Sequence, residues 1–412
     1  MTLVKPFKAT RPTRDKVGLI SSRPYESYVD KERKAVLEFN PFSFLQIVNP
    51  GYKYHKRITG KKRFSLVRNR FQEFKEDGFF VKEKKESFYI YRIVYSDHMS
   101  FTGIIARNSC HDYLTGKIKK HEDTIFHKEK VFSEYLQTVK FNADPVLLTY
   151  PKNESLEKLI KRYTNERAEY EFSTRSRETH YLWVVDKPED LQFIENSFSE
   201  LEHLYIGDGH HRCASSALLC QEMEKQNPKH TGKEDYNFFM TFLIDENQLN
   251  IHEFNRLVKD LNGMDKDEFL IRLDEFFRIQ NRGENCYRPT KKHHFSMYLE
   301  GEYYSLYLRK SKFNFENSLD QLDAQILYKT VLKPILNIHD LKNDNRIDYV
   351  KGEKDMGFVK SAVDRGKFKV GFSMLPPDIE EIKNIADENL VMPPKTTYID
   401  PKLRSGVTIY EF

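Results

Sequence analysis

The sequence lacks the features that mark several classes of protein. It holds one tryptophan and four cysteines in 412 residues, and its apolar runs stay well short of the roughly 20 residues that a membrane-spanning helix needs. The first 15 residues are basic and polar, without the apolar stretch of a signal peptide. We therefore expect a cytoplasmic protein with no membrane segment.

A strong charge of one sign is also missing. Lysine and arginine number 67 against 62 acidic residues, a formal net charge of +5. This balance argues against a protein that coats DNA, so we do not expect nucleic acid as a partner. The cysteines lack the paired spacing of metal ligands, so we identify no metal site and expect reduced thiols; they are Cys110, Cys213, Cys220 and Cys286.

Aromatic residues, in contrast, are abundant. The chain has 31 Phe and 24 Tyr, and its hydrophobic fraction of 39% is typical of a globular protein with a large core. The pattern of apolar residues predicts an α+β or mixed α/β fold, with hairpins in the segments 87–106 and 293–309. We predict an N-terminal α+β region (1–110), a middle region of alternating strands and helices (111–255) and a C-terminal α+β region (256–412).

The stretch "YIGDGHHRCASSALL", residues 205–219, carries the clearest chemical signal. It predicts a strand, a glycine-containing turn and a helix whose positive N-terminal end favours an anion. Arg212 adds a planar cation suited to phosphate oxygens, and Asp208 can orient a histidine or a metal-bound water. The sequence thus predicts a phosphate-binding turn with proton-transfer groups, made by Gly207, Asp208, Gly209, His210, His211 and Arg212.

The turn also has a purely structural interpretation. Asp-Gly is a common turn sequence, and two histidines at a helix start can be polar surface. A zinc site is the weaker alternative, because adjacent histidines project in different directions and seldom bind one ion.

Two further clusters combine charged residues. "CHDYLTGKIKKHEDT" contains Lys119, Lys120, His121 and Glu122, where a carboxylate beside a histidine and lysines could act as a base near bound phosphate. The alternative is a solvated charged loop.

The other cluster, "MPPKTTYIDPKLRSG", lies near the C-terminus. It places Lys395, Lys402 and Arg404 on a segment stiffened by prolines. These residues could bind an additional anion or fasten the C-terminus to the core, and the sequence leaves both open.

Several of these segments resemble the family called domain of unknown function 1015 (DUF1015). The resemblance covers nearly the whole chain and rests on "SSRPYESYVDKER", "NPFSFLQIVNP", "IKKHEDT", "DGHHRCASSAL" and "MPPKTTYIDPKLRSG", with Arg11-Pro12. That family in turn resembles the ParB/sulfiredoxin-type nucleotide-binding fold. Residues 111–255 would then be the ParB/sulfiredoxin-like core, with "IKKHE", "DPVLLTY" and "GHHR" matching that fold in order.

The wider fold includes free-serine kinases, and the resemblance implies roles for the matching residues. Glu122 would deprotonate a serine hydroxyl, and His121 would contact phosphate or the metal. The segment Asp208–Arg212 would cradle the phosphates of ATP or ADP, with Mg²⁺ as the implied cofactor. The expected partners are a nucleotide and a small-molecule substrate; a homodimer is left open.

One departure from the pattern widens the choice of function. Residues 151–202 separate "DPVLLTY" from "YIGDGHH", a far longer connection than in ParB-type proteins. Beside a kinase of free serine or a similar small hydroxyl substrate, we therefore consider an O-phosphoserine phosphatase and a non-catalytic ParB-like nucleotide-binding module. A sulfiredoxin-like thiol role would need a reactive Cys213 or Cys110.

Overall fold

Strands form where apolar and polar residues alternate, and helices form where apolar residues recur every three or four positions. The computed structural model describes residues 2–352 and 356–412. The strands are β1 (Val4–Lys5), β2 (Thr10–Pro12), β3 (Phe80–Lys82), β4 (Phe88–Val94), β5 (Ser100–Ser109), β6 (Ile118–Lys119), β7 (Phe141–Asn142), β8 (Val146–Tyr150), β9 (Tyr170–Ser173), β10 (Thr179–Val185), β11 (Leu204–Asp208), β12 (Phe238–Asp245), β13 (Asn250–His252), β14 (Phe254–Val258), β15 (Phe277–Gly283), β16 (His294–Leu299), β17 (Glu302–Leu308), β18 (Ile347–Lys351), β19 (Val370–Ser373), β20 (Tyr398–Asp400) and β21 (Tyr410–Glu411).

Helices separate many of these strands, as the alternating pattern predicts. Together with the mixed sheet described below, they confirm the mixed α/β class. The helices are α1 (Val17–Ile20), α2 (Asp30–Phe39), α3 (Phe44–Val48), α4 (Gly60–Glu76), α5 (Cys110–Leu114), α6 (Phe126–Val139), α7 (Glu154–Thr164), α8 (Pro188–Ser199), α9 (His210–Gln226), α10 (Lys266–Asp274), α11 (Asp323–Leu327), α12 (Met356–Asp364) and α13 (Ile379–Asp387).

The chain divides into two units. The first contains the residues up to Lys119, then Thr124–Leu249 and Pro401–Phe412, and the second contains Lys120–Asp123 and Asn250–Asp400. The three sequence regions with boundaries near 110 and 255 stay a prediction. Within the described part of the chain, every helix is too short or too polar to cross a membrane.

A mixed sheet forms the centre of the first unit. Its strands run in the order β6-β11-β8-β12-β5-β4-β10-β9, with β1 added beside β5. The predicted hairpin is β4–β5, which pairs antiparallel, whereas β8–β12 and β6–β11 pair parallel. The long connection at 151–202 supplies β9 and β10, which extend this sheet beyond β4.

Helices α7, α8 and α9 pack on this sheet through apolar stripes. On α7 the buried residues Leu156, Leu159, Ile160 and Tyr163 follow the three-and-four spacing of one helical face. They share a core with sheet residues such as Ile104. One residue, Gly209, separates the end of β11 from the start of α9, so the packing of α9 on the sheet also positions this turn.

The second unit has its own antiparallel sheet. Its strands lie in the order β15-β17-β16-β19-β14-β18, and the predicted hairpin β16–β17 turns at Gly301, where φ is +90°. Helix α12 packs closely on β19, because a Cβ added at Gly371 would lie 2.3 Å from Val359. Only a glycine at this position allows so close a contact.

One carboxylate of the second unit is buried with one of its oxygens lacking a hydrogen-bond partner in the described chain. Asp323 begins α11, and its Oδ1 accepts a hydrogen bond from the His293 main-chain N–H at 2.8 Å. Its Oδ2 is buried and has no hydrogen-bond partner among the residues that the structure describes. Burial disfavours the charged form and raises the pKa of Asp323 to about 7.

Because this pKa is raised on folding, the native state binds the proton more tightly than the unfolded chain. The wild-type free energy of unfolding should therefore lose a few kcal/mol from Asp323 as the pH rises from about 4 through 7. Asp323→Asn should remove that loss, and Asp348→Asn, at an exposed carboxylate, should not. Urea unfolding at several pH values checks this; equal pH profiles for wild type and Asp323→Asn would contradict it.

Candidate functional site

The candidate turn begins where regular strand pairing ends. The register between β11 and β8 shifts between Ile206 and Asp208, so a β-bulge lies at Gly207. A Cβ added at Gly207 would lie 3.1 Å from side-chain atoms of Leu147. A small residue at the bulge thus lets the chain leave the sheet close to β8.

Gly209 connects the strand to α9 in a conformation that other residues rarely adopt. Its φ is +99°, and it caps α9 without a side-chain hydrogen bond. A Cβ added there would lie 2.8 Å from Arg212 Nη2. The guanidinium therefore packs on bare backbone, and glycine serves both the turn and this contact.

Asp208 holds two cations at the turn. Arg212 Nη2 donates to its Oδ2 at 2.7 Å, and Lys402 Nζ donates to its Oδ1 at 2.6 Å. Arg212 Nη1 also donates to the Pro145 carbonyl oxygen at 2.6 Å. We call Asp208, Arg212 and Lys402 the Asp208 cluster; its two positive charges and one negative charge leave one net positive charge.

The Asp208 cluster is partly open to solvent. The exposed fractions of its side chains are 37% for Asp208, 27% for Arg212 and 30% for Lys402. Within residues 2–352 and 356–412, the Arg212 guanidinium donates to Asp208 and to the Pro145 carbonyl oxygen. It carries further N–H groups beyond these two donors. Donors thus remain for an anionic ligand.

The two histidines of the turn lie in different surroundings. His210 is buried, with 4% of its surface exposed. His211 is partly exposed, and its Nε2 accepts a hydrogen bond from the Ile125 main-chain N–H at 3.2 Å. The contact occupies one ring nitrogen of His211.

The predicted residues of "IKKHEDT" belong to both units. Lys119 lies in β6 of the first unit, opposite Tyr205 of β11. Lys120, His121 and Glu122 lie in the second unit. There the His121 side chain is buried, and its carbonyl oxygen accepts from the Met392 main-chain N–H at 2.9 Å.

The C-terminal cations also have separate surroundings. Arg404 donates to Ser21 through Nε (3.3 Å) and to Glu178 through Nη1 (3.3 Å). Lys395, in the second unit, places its Nζ over the Phe254 ring at 5.6 Å. Of the three cations predicted from the sequence, the structure thus brings Lys402 to the Asp208 cluster.

Sequence reasoning missed the Pro145 carbonyl as a partner of Arg212. A main-chain acceptor leaves no side-chain signal, although Pro145 is the second residue of the quoted segment "DPVLLTY". The same reasoning named Lys402 but could not pair it with Asp208, because 194 residues separate them.

The Asp208 cluster fits a phosphate better than a metal ion. Both Asp208 oxygens already accept from cations, so this carboxylate does not present itself to Mg²⁺. The structure also disfavours a reaction at the Cys213 thiol, because Cys213 is completely buried in the core of the first unit. Burial likewise raises the pKa of Cys110 and suppresses its thiolate.

Several solved structures are similar to this chain at low sequence identity. They include free serine kinase in complex with AMP (TM-score 0.34, 14% identity), a mutant of that kinase in complex with ADP (0.37, 14%) and C-terminally truncated SbnI from Staphylococcus aureus (0.38, 12%). Each alignment covers 74% of this chain, 91% of the kinase chains and 85% of SbnI. At such scores the likeness assigns no activity to this chain. Among curated proteins, none matches it.

The packing of Arg212 on Gly209 can be tested with two alanine variants. Gly209 and Gly232 both have positive φ, but a Cβ at Gly232 would meet nothing within 4 Å. Both variants should lose about 1–2 kcal/mol of stability from the backbone strain. Gly209→Ala should lose more, because its Cβ displaces the Arg212 guanidinium. Chemical unfolding checks this, and equal losses in both variants would contradict it.

The family of the chain follows from a family model. The model described as "Protein of unknown function (DUF1015)" matches residues 4–325, which include the Asp208–Arg212 turn. This confirms the resemblance drawn from the motifs. The chain belongs to the DUF1015 family.

Proposed function

We propose that the protein is a phosphotransferase that binds the phosphates of its substrate at the Asp208–Arg212 turn. The observation that carries this proposal is the Asp208 cluster, in which one carboxylate holds Arg212 and Lys402 at 2.7 and 2.6 Å. The cluster lies at the start of the 17-residue helix α9. Helix dipole and guanidinium therefore attract the same anion.

Phosphoryl transfer suits such an arrangement of charge. Its transition state spreads negative charge over the oxygens of the moving group, and catalysis comes mainly from fixed donors and cations around them. Arg212 is held by Asp208 and by the Pro145 carbonyl, so its orientation is set before a ligand arrives. Fixed donors stabilise the developing charge without having to reorganise.

In this proposal the reaction is the phosphorylation of free serine or a similar small hydroxyl compound by ATP or ADP. Glu122 removes the hydroxyl proton, His121 contacts phosphate, and Gly207, Gly209, His210 and His211 shape the phosphate turn beside Lys119 and Lys120. These roles rest on the motif resemblance. Mg²⁺ often binds through substrate phosphates, and it would then neutralise their charge.

A phosphatase is the second candidate, because the same cluster would bind the phosphate of O-phosphoserine. Glu122 would then activate water instead of a hydroxyl group. A nucleotide-binding module without turnover is the third, since the cluster by itself requires only an anion.

Phosphorus NMR separates these candidates. Purified protein is incubated with Mg²⁺, ATP or ADP and serine, and separately with phosphoserine alone. Phosphoserine should form in the first mixture; free phosphate in the second would instead support the phosphatase. Nucleotide binding without turnover would support the binding module. Absence of both turnover and binding would contradict all three.

Arg212→Ala should weaken the binding of ATP or ADP by about tenfold or more, because a charge-assisted hydrogen bond to phosphate is lost. Lys225→Ala removes the same charge from the exposed last turn of α9 and should leave affinity unchanged. Isothermal titration calorimetry measures both. Equal nucleotide affinities of wild type and Arg212→Ala would show that Arg212 does not contribute to nucleotide binding.

Glu122→Gln should lower turnover by about 100-fold or more, as expected for loss of a general base, and leave nucleotide affinity nearly intact. Asp123→Asn is the matched control, because the neighbouring carboxylate faces Lys342 Nζ at 3.5 Å. Normal turnover by Glu122→Gln would show that the base is another group.

A further inference from the structure

A larger cavity in the first unit is lined by Arg212 and by residues that the proposed function leaves unused. Its volume is about 320 Å³, within the range of about 300–1,000 Å³ that small-molecule sites occupy. A second cavity, lined by Arg212 together with Asp208 and Lys402, measures only about 20 Å³, so a ligand phosphate bound to Arg212 has to lie on the side of the larger cavity. Of these two cavities beside Arg212, the larger one has room for a ligand.

Aromatic rings form much of the cavity wall. Phe132 and Tyr135 of α6 lie nearly parallel, with ring centroids 5.3 Å apart and an interplanar angle of 24°. Phe64 of α4 meets Tyr135 edge-on at 5.3 Å and 82°. Rings that support one another in this way form a stiff apolar surface, which suits a flat ligand group.

Two family motifs also contribute to the wall. Tyr25 and Glu26 come from "SSRPYESYVDKER", and Phe44 and Val48 come from "NPFSFLQIVNP". Neither motif supplies a residue to the Asp208 cluster. The two segments thus meet at the cavity and not at the phosphate turn.

The cavity also presents hydrogen-bond donors. Asn142 Oδ1 accepts from the Met240 main-chain N–H at 3.1 Å, which fixes the amide with Nδ2 as a donor. Within the described chain, neither Asn142 Nδ2 nor the Tyr135 hydroxyl has a hydrogen-bond partner. Burial raises the pKa of Tyr135, so its hydroxyl keeps its proton.

The charged residues of the lining balance one another. Arg63 and Arg212 are positive, and Glu26 and Asp144 are negative. The Asp144 carboxylate also accepts a hydrogen bond from the Ser405 hydroxyl. With Arg212 bound to the phosphate, Arg63 lies with two carboxylates, so the rest of the lining favours a neutral ring with polar edges over a second anionic group.

We propose that this cavity binds the heteroaromatic ring of a nucleotide whose phosphate lies at Arg212. This inference rests on the proposed function, because it takes the Arg212 turn as the phosphate end of the same ligand. Ring acceptors bind the Asn142 amide and the Tyr135 hydroxyl, and the ring faces lie against Phe132 and its neighbours. Free serine is too small and too polar to fill this space.

The test is a substitution that narrows the cavity and leaves the residues of the Asp208 cluster unchanged. Val131 of α6 lines the cavity and is 43% exposed, so Val131→Trp should fill part of it with little cost to folding. Lys130→Trp is the matched control, because it adds a similar ring at the preceding, exposed position of the same helix. Circular dichroism confirms that both variants fold. The ligands are AMP, ribose 5-phosphate and adenosine, and calorimetry measures their affinities.

We expect Val131→Trp to weaken AMP binding by about tenfold or more, the usual worth of a stacked base, and to leave ribose 5-phosphate binding unchanged. Lys130→Trp should match wild type. Equal AMP affinities of Val131→Trp and wild type would overturn the cavity proposal while leaving the phosphate turn in place. Adenosine that binds wild type but not Val131→Trp, without any binding of ribose 5-phosphate, would support the cavity and contradict the turn. Absence of binding by all three ligands would overturn both.

Discussion

One carboxylate shared by two cations organises the candidate site. Asp208 ends a strand of the main sheet, and its two oxygens bind Arg212 and Lys402. Without that carboxylate the two like charges would repel each other at close range, and the segment carrying Lys402 would lose its contact with the turn. In the proposed function an anion binds the Arg212 N–H groups that Asp208 and the Pro145 carbonyl leave available. The single net positive charge of the cluster would then favour multiply charged phosphates over carboxylates or halides.

Arg212 connects this electrostatic centre to the apolar part of the first unit. The guanidinium packs on Gly209, binds Asp208 and the Pro145 carbonyl, and also lines the aromatic cavity. A single side chain thus touches both the proposed phosphate site and the proposed ring site. The fold supplies both through long-range pairing, since α4, α6, α9 and β12 all border the cavity.

Local features of the site could be predicted from the sequence, and long-range features could not. Strand β11, the Gly209 turn and helix α9 follow from neighbouring residues, as do the hairpins β4–β5 and β16–β17. On sequence grounds Lys402 and Arg404 are equally good candidates for a phosphate contact, yet Arg404 binds Ser21 and Glu178. Composition and spacing do not show which distant carboxylate a lysine will meet. For the same reason, residues 151–202 read as an insertion, although their strands β9 and β10 extend the main sheet.

The most direct test of this account is a crystal structure of the protein grown with AMP. It should show the phosphate at the start of α9, with an oxygen within hydrogen-bond distance of the Arg212 guanidinium and Asp208 still bound to Lys402. Density for AMP at another surface, with the Arg212 turn occupied by water alone, would contradict the account.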